Sequence, residues 1–107
     1  VKFPKNKPLK SQKLRDSARG ENCTMNSPEC NSNPETVVLC HSNKLKHGKG
    51  TGLKADDRHA FYGCSGCHHW FDVGTADKHK KQRYYDVAVI HTHIRMRQKG
   101  LGVILDG

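Results

Sequence analysis

Four cysteines constrain this chain more tightly than its apolar residues do. Cys64-Ser-Gly-Cys67 is a knuckle that can set two thiolates on one tetrahedral ion, with metal–sulfur distances of about 2.3 Å when the ion is zinc. Cys23 and Cys30 can supply the other two ligands, and Pro28 with its turn-forming neighbours can fold the longer loop between them back on itself. The spacing therefore predicts a structural zinc site on Cys23, Cys30, Cys64 and Cys67. The alternative, unliganded small core residues, suits Cys23 and Cys30 better than the tight pair. Composition makes such a staple necessary. Leu, Ile, Val and Phe together number 20 of 107 residues, just under the level of roughly 20% below which a highly charged chain is expected to be disordered. A small domain with so little to bury leans on disulfides or a metal. The odd total of five cysteines, with no apolar leader after the basic N-terminus, favours reduced thiols and hence metal.

The formal charge of +9 points to a polyanionic partner, or more plainly to a solubilising surface. No apolar run approaches the ~18 residues of a membrane span. Lys2, Lys5, Lys7, Lys10, Lys13 and Arg15 crowd the first fifteen residues, which hold no acid and are broken by Pro4 and Pro8. Residues 1–13 read as a flexible basic arm and 14–107 as one domain.

Along the domain, a short helix is expected from about Leu9, with Leu14 and Ala18 on one face and Gly20 as its stop. Residues 36–41 (TVVLCH) and 59–64 (HAFYGC) read as two strands forming a hairpin around a long loop that carries Gly48, Gly50 and Gly52. The pattern turns helical after Cys67, and residues 76–98 form a longer helix closed by Gly100, with a last short strand expected over 101–105. Tyr84, Val87, Ile90 and Ile94 make an apolar stripe at helical spacing. With Val37, Leu39, Phe61 and Trp70, members of that stripe (Tyr84, Ile90 and Ile94) are expected to pack around the metal centre. The fold class is α+β.

Chemistry gathers beside the knuckle. His68 and Asp72, four apart at the start of the second helix, share one face and make a nitrogen–oxygen pair suited to a divalent cation. His41 ends the first strand and can face that pair across the hairpin, where a neutral imidazole can take a proton from water. His47, His59, His69, His79, His91 and His93 fit no such pattern and read as surface or structural residues.

The order of these elements resembles the HNH, or ββα-metal, endonucleases, and in particular the small phage and prophage Ref/YbcO-type nucleases. The resemblance is carried by ARGENC (18–23), NPETVVLCHSN (33–43), GKGTGLKADD (48–57) and CSGCHHWFD (64–72), and it spans roughly residues 14–105. It implies a zinc-stapled ββα-metal (His-Me finger) fold with an added C-terminal basic helix. It also implies one catalytic divalent metal, Mg2+ or Mn2+ with Zn2+ or Ni2+ as alternatives, and cleavage of DNA phosphodiester bonds in recombination, repair or DNA processing. By position His41 matches the general base and His68 a metal ligand, with Asp72 as a second ligand on the helix. Asp57 matches the Ref-type pattern in a role that fixes the loop or supports the ligands, and it ranks above His59 there. Cys40 stands where the family often carries a metal-binding Asp or His; a buried strand cysteine is the preferred reading and a thiolate ligand the alternative. Relatives of the Ref type imply a RecA filament as a partner and the cytoplasm of a bacterial host as the location, though no residue here encodes that partner.

Backbone contacts would come from Lys44, Lys46, Lys49 and Lys54 of the Gly-rich loop and from Lys80, Lys81 and Arg83 of the long helix. A non-catalytic zinc module that binds nucleic acid shares the charge and the knuckle. What favours the enzyme is that His41, His68 and Asp72 occur together.

Overall fold

A computed structural model describes residues 9–42 and 56–102. They form an α+β unit with a two-stranded antiparallel sheet and three α-helices. Helix α1 spans Gln12–Asp16, and the Ser11 side chain caps it by accepting a hydrogen bond from the Leu14 N–H. Gly20 then turns the chain at a φ of 75°, a conformation that glycine adopts without penalty. An irregular segment carrying Cys23 and Cys30 runs to a single 3-10 turn at Pro34–Thr36. Strand β1 (Val38–His41) and strand β2 (Ala60–Gly63) follow, then helix α2 (Ser65–Val73) and helix α3 (Lys78–Gln98). Asp77 caps α3, its carboxylate accepting from the N–H groups of His79 and Lys80.

The hairpin register pairs Val38 with Gly63, Leu39 with Tyr62, Cys40 with Phe61 and His41 with Ala60. Phe61, Phe71 and Tyr85 meet in the core: Phe71 stacks on Tyr85 with centroids 5.4 Å apart, and Phe61 meets both edge-on. A two-stranded sheet leaves β2 with an open edge, and hydroxyls close it. The Thr92 hydroxyl accepts from the Tyr62 N–H at 3.0 Å, while the Thr24 N–H and hydroxyl donate to the Tyr62 carbonyl at 2.8 and 2.9 Å. The Tyr62 hydroxyl bonds Ser17 at 2.7 Å, tying the sheet to the end of α1.

The expected core needs one correction. Val37, Leu39, Phe61 and Trp70 are buried, but Ile90 and Ile94 are 58% and 41% exposed, Val87 is exposed, and Tyr84 is half-buried. Helix α3 instead turns Tyr85, Ala88, Thr92, His93 and Met96 inward. That face has the same helical spacing, but its threonine and histidine hide it from an apolar count. Both polar groups are satisfied: Thr92 by β2, and His93 by the Arg58 carbonyl at 2.9 Å. Burial accordingly pushes His93 below the usual imidazole range. The strand expected over 101–105 falls mostly outside the described residues, and residues 101 and 102 are not strand.

The inversion of α3 makes a direct test. Thr92→Val, which keeps the shape but strands the Tyr62 N–H, should cost about 1–3 kcal/mol in urea unfolding. Ile90→Gln should shift stability by no more than about 0.5 kcal/mol. The reverse ranking would show that the apolar stripe is the packed face.

Candidate functional site

Two loops and the start of α2 bring four sulfurs together. Cys23, Cys30, Cys64 and Cys67 offer ligand atoms all within 4.8 Å of one another, with Cys23–Cys67 at 3.5 Å and Cys30–Cys64 at 3.7 Å. These separations match the edges of a tetrahedron of thiolates around a zinc ion about 2.3 Å from each sulfur. Cys64 is the N-cap of α2, so the knuckle is a helix start in which the Cys67 N–H donates to the Cys64 sulfur. Further donors surround the sulfurs as a thiolate site requires: the Asn31 N–H toward Cys64, and the Ser27 N–H and hydroxyl toward Cys67. The hydrogen bond between Cys23 and Cys67 pulls the Cys23 thiol down and pushes Cys67 up. Against burial, the N–H groups of Cys67 and Asn31 lower Cys64. A dication bound here would replace the protons that these sulfurs carry. Gly66 makes the approach feasible, because a Cβ there would collide with the Glu29 carbonyl oxygen of the opposing loop. The donor set fits zinc.

Cys40 stands apart from this cluster. It is fully buried between the strands, and burial pushes its thiol far up, which keeps it protonated.

At the end of β1, the His41 Nε2 lies 2.6 Å from Asp57 Oδ1. The Asp57 side chain is only 3% exposed, whereas His41 keeps 27% of its surface. The other Asp57 oxygen accepts the Ser11 N–H at 2.6 Å and faces the Arg15 Nε at 3.4 Å, and the Asp57 N–H donates to the Leu9 carbonyl. Leu9 and Ser11, within the expected basic arm, are thus bonded to the folded unit. Neither Ser11 nor Arg15 could be chosen from sequence: a serine before a helix reads as a cap, and one arginine among lysines reads as bulk charge. Next to this pair, Asp56 and Arg58 form a buried ion pair at 2.6 Å. Arg58 holds the Asp56 carboxyl below its usual range despite burial. His59 is half-buried, its N–H on the Asp56 carbonyl.

On α2, His68 Nε2 and Asp72 Oδ2 lie 3.0 Å apart, both partly exposed, as their spacing predicted. Lys80, Lys81 and Arg83 occupy the first turns of α3, and Lys81 Nζ donates to the Gly74 carbonyl. Lys44, Lys46, Lys49 and Lys54 lie outside the described residues. No described helix is long and apolar enough to cross a membrane.

A cluster of four cysteines that could hold a metal, with two histidine–carboxylate pairs in the same small α+β unit, marks out a candidate metal-binding domain. The family model described as "Putative nuclease YbcO" matches residues 12–101, and the chain belongs to that family. Two proteins described as "Putative nuclease YbcO", from Escherichia coli (strain K12) and Enterobacteria phage 82, are each 44% identical over 71 residues, covering 59% of this chain and 73% of theirs. A solved structure, described as that of "a putative bacteriophage protein" from Escherichia coli K-12, superposes with a TM-score of 0.67 at 29% identity. It covers 81% of this chain and 99% of its own.

Removing the metal should unfold the domain, because the core alone is too small to hold the segment bearing Cys23 and Cys30. Circular dichroism during titration with a strong zinc chelator should show loss of helix, restored by zinc; an unchanged spectrum at zero bound zinc would refute this. Gly66→Ala should weaken zinc affinity by about 10–100-fold, measured by competition with a chromogenic chelator.

Proposed function

We propose that this chain is a metal-dependent DNA endonuclease of the HNH, or ββα-metal, type. The observation that supports this most is the 2.6 Å bond between His41 and Asp57 at the end of a hairpin that leads directly into the helix bearing His68 and Asp72. In this reading Asp57 fixes the imidazole, and His41 takes a proton from the water that attacks phosphorus. A divalent cation, Mg2+ or Mn2+ with Zn2+ or Ni2+ as alternatives, would be held by His68 and Asp72 and would neutralise charge developing on the phosphate oxygens. The four-cysteine zinc is structural and takes no part in chemistry.

In this reading residues 14–107 carry the nuclease domain and 1–13 a basic arm, of which Leu9 and Ser11 are bonded to the domain and Gln12 and Lys13 begin α1. Lys80, Lys81 and Arg83, with Lys44, Lys46, Lys49 and Lys54 of the loop, hold the DNA backbone with little regard to sequence. Reduced thiols and the phage relatives are consistent with work in the host cytoplasm, on DNA in recombination or repair; a recombinase filament such as RecA is the partner that the Ref resemblance supplies.

Plasmid and single-stranded DNA should be cut when Mg2+ or Mn2+ is added. His41→Ala should reduce the rate by about 10²–10⁴-fold while keeping its zinc. Equal cutting by both proteins would remove His41 from the mechanism. DNA binding without cutting would leave a non-catalytic zinc module.

A further inference from the structure

The Asp57 carboxylate is shared. One oxygen holds His41, and the other, bonded by the Ser11 N–H, faces the guanidinium of Arg15. The imidazole and the guanidinium are therefore neighbours bridged by a single carboxylate. Arg15 engages through Nε, which also reaches the Ser11 carbonyl at 3.5 Å, and its side chain keeps a third of its surface open. A guanidinium has five N–H donors in a rigid plane, so fixing it at Nε sets the direction of both Nη groups. Those Nη groups make no hydrogen bond or ion pair among the described residues.

From this geometry we infer that Arg15 is a phosphate-binding catalytic residue: its Nη groups hold a non-bridging oxygen of the phosphodiester whose attacking water is deprotonated by His41. The inference rests on the nuclease reading and adds to it a residue that sequence showed only as one charge in a basic N-terminal run. Attack on phosphorus puts further negative charge on the non-bridging oxygens, and a planar, permanently charged donor is suited to it. Asp57 orients the base with one oxygen and this cation with the other, so the buried carboxylate sets the spacing between proton acceptor and phosphate clamp. The proton leaves water for His41, the P–O bond to the new hydroxyl forms, and the bond to the leaving oxygen breaks with its electron pair going to that oxygen. The leaving oxygen takes a proton from solvent, while His41 returns its own to solvent. Arg15 exchanges no proton.

Arg15→Ala and Arg15→Lys should be compared with wild type in steady-state cleavage of a fluorescent DNA, alongside zinc content and thermal midpoint. Arg15→Ala should lose roughly 10²–10³-fold in kcat with KM changed by less than about threefold. Free guanidinium ion at millimolar levels should restore part of its rate and leave wild type unaffected. Arg15→Lys should recover only partly, since an ammonium cannot hold Asp57 and a phosphate oxygen in one plane. A raised KM with kcat unchanged would make Arg15 an ordinary backbone contact and overturn the inference. So would a loss that follows a fallen thermal midpoint and resists guanidinium. Wild type that cuts while Arg15→Ala cuts equally overturns the inference alone; wild type that cuts nothing overturns the nuclease reading and the inference with it.

Discussion

The rest of this fold depends on four sulfurs meeting at one point. Cys23 and Cys30 sit in a segment without regular helix or strand, held by buried Met25 and Ser27 and by the bonds of Thr24 to the Tyr62 carbonyl. Cys64 and Cys67 open α2, more than thirty residues further along the chain. A dication on the four thiolates joins these parts with a strength that the few buried aliphatic side chains cannot supply. It also fixes the first turn of α2, and His68 follows Cys67 directly. A metal held there would thus set the direction in which the polar face of α2 looks.

Asp57 is the second constraint, and it works by satisfying a buried charge. A carboxylate taken out of water is tolerated only where donors surround it. Here the donors come from the end of β1, from the backbone ahead of α1 and from an arginine side chain. The polar centre therefore ties the N-terminal segment to the hairpin, just as the sulfurs tie the Cys23–Cys30 loop to α2. With few aliphatic residues to spend, the chain holds itself together at two polar nodes, and Phe61, Phe71 and Tyr85 pack against one another in the core.

Much of this was legible because metal ligands and turns obey spacing rules. The Cys64–Cys67 knuckle, the hairpin and the i,i+4 relation of His68 and Asp72 follow from local geometry that sequence displays. What stayed hidden depends on contacts between distant segments. The inward face of α3 was missed because Thr92 and His93 look like surface residues until Tyr62 and Arg58 are seen beside them. Asp57 was singled out by family resemblance alone, with nothing in its own neighbourhood to give its partner. Arg15 stood out only as one charge in a basic N-terminal run, and Ser11 carried no signal beyond that of a helix cap.

X-ray absorption at the zinc edge, on protein purified without added metal, measures the central constraint most directly. One zinc per chain with four sulfur neighbours at about 2.3 Å and no nitrogen or oxygen in the shell is the predicted result. A shell that includes imidazole or carboxylate, or a folded protein holding no zinc, would contradict it.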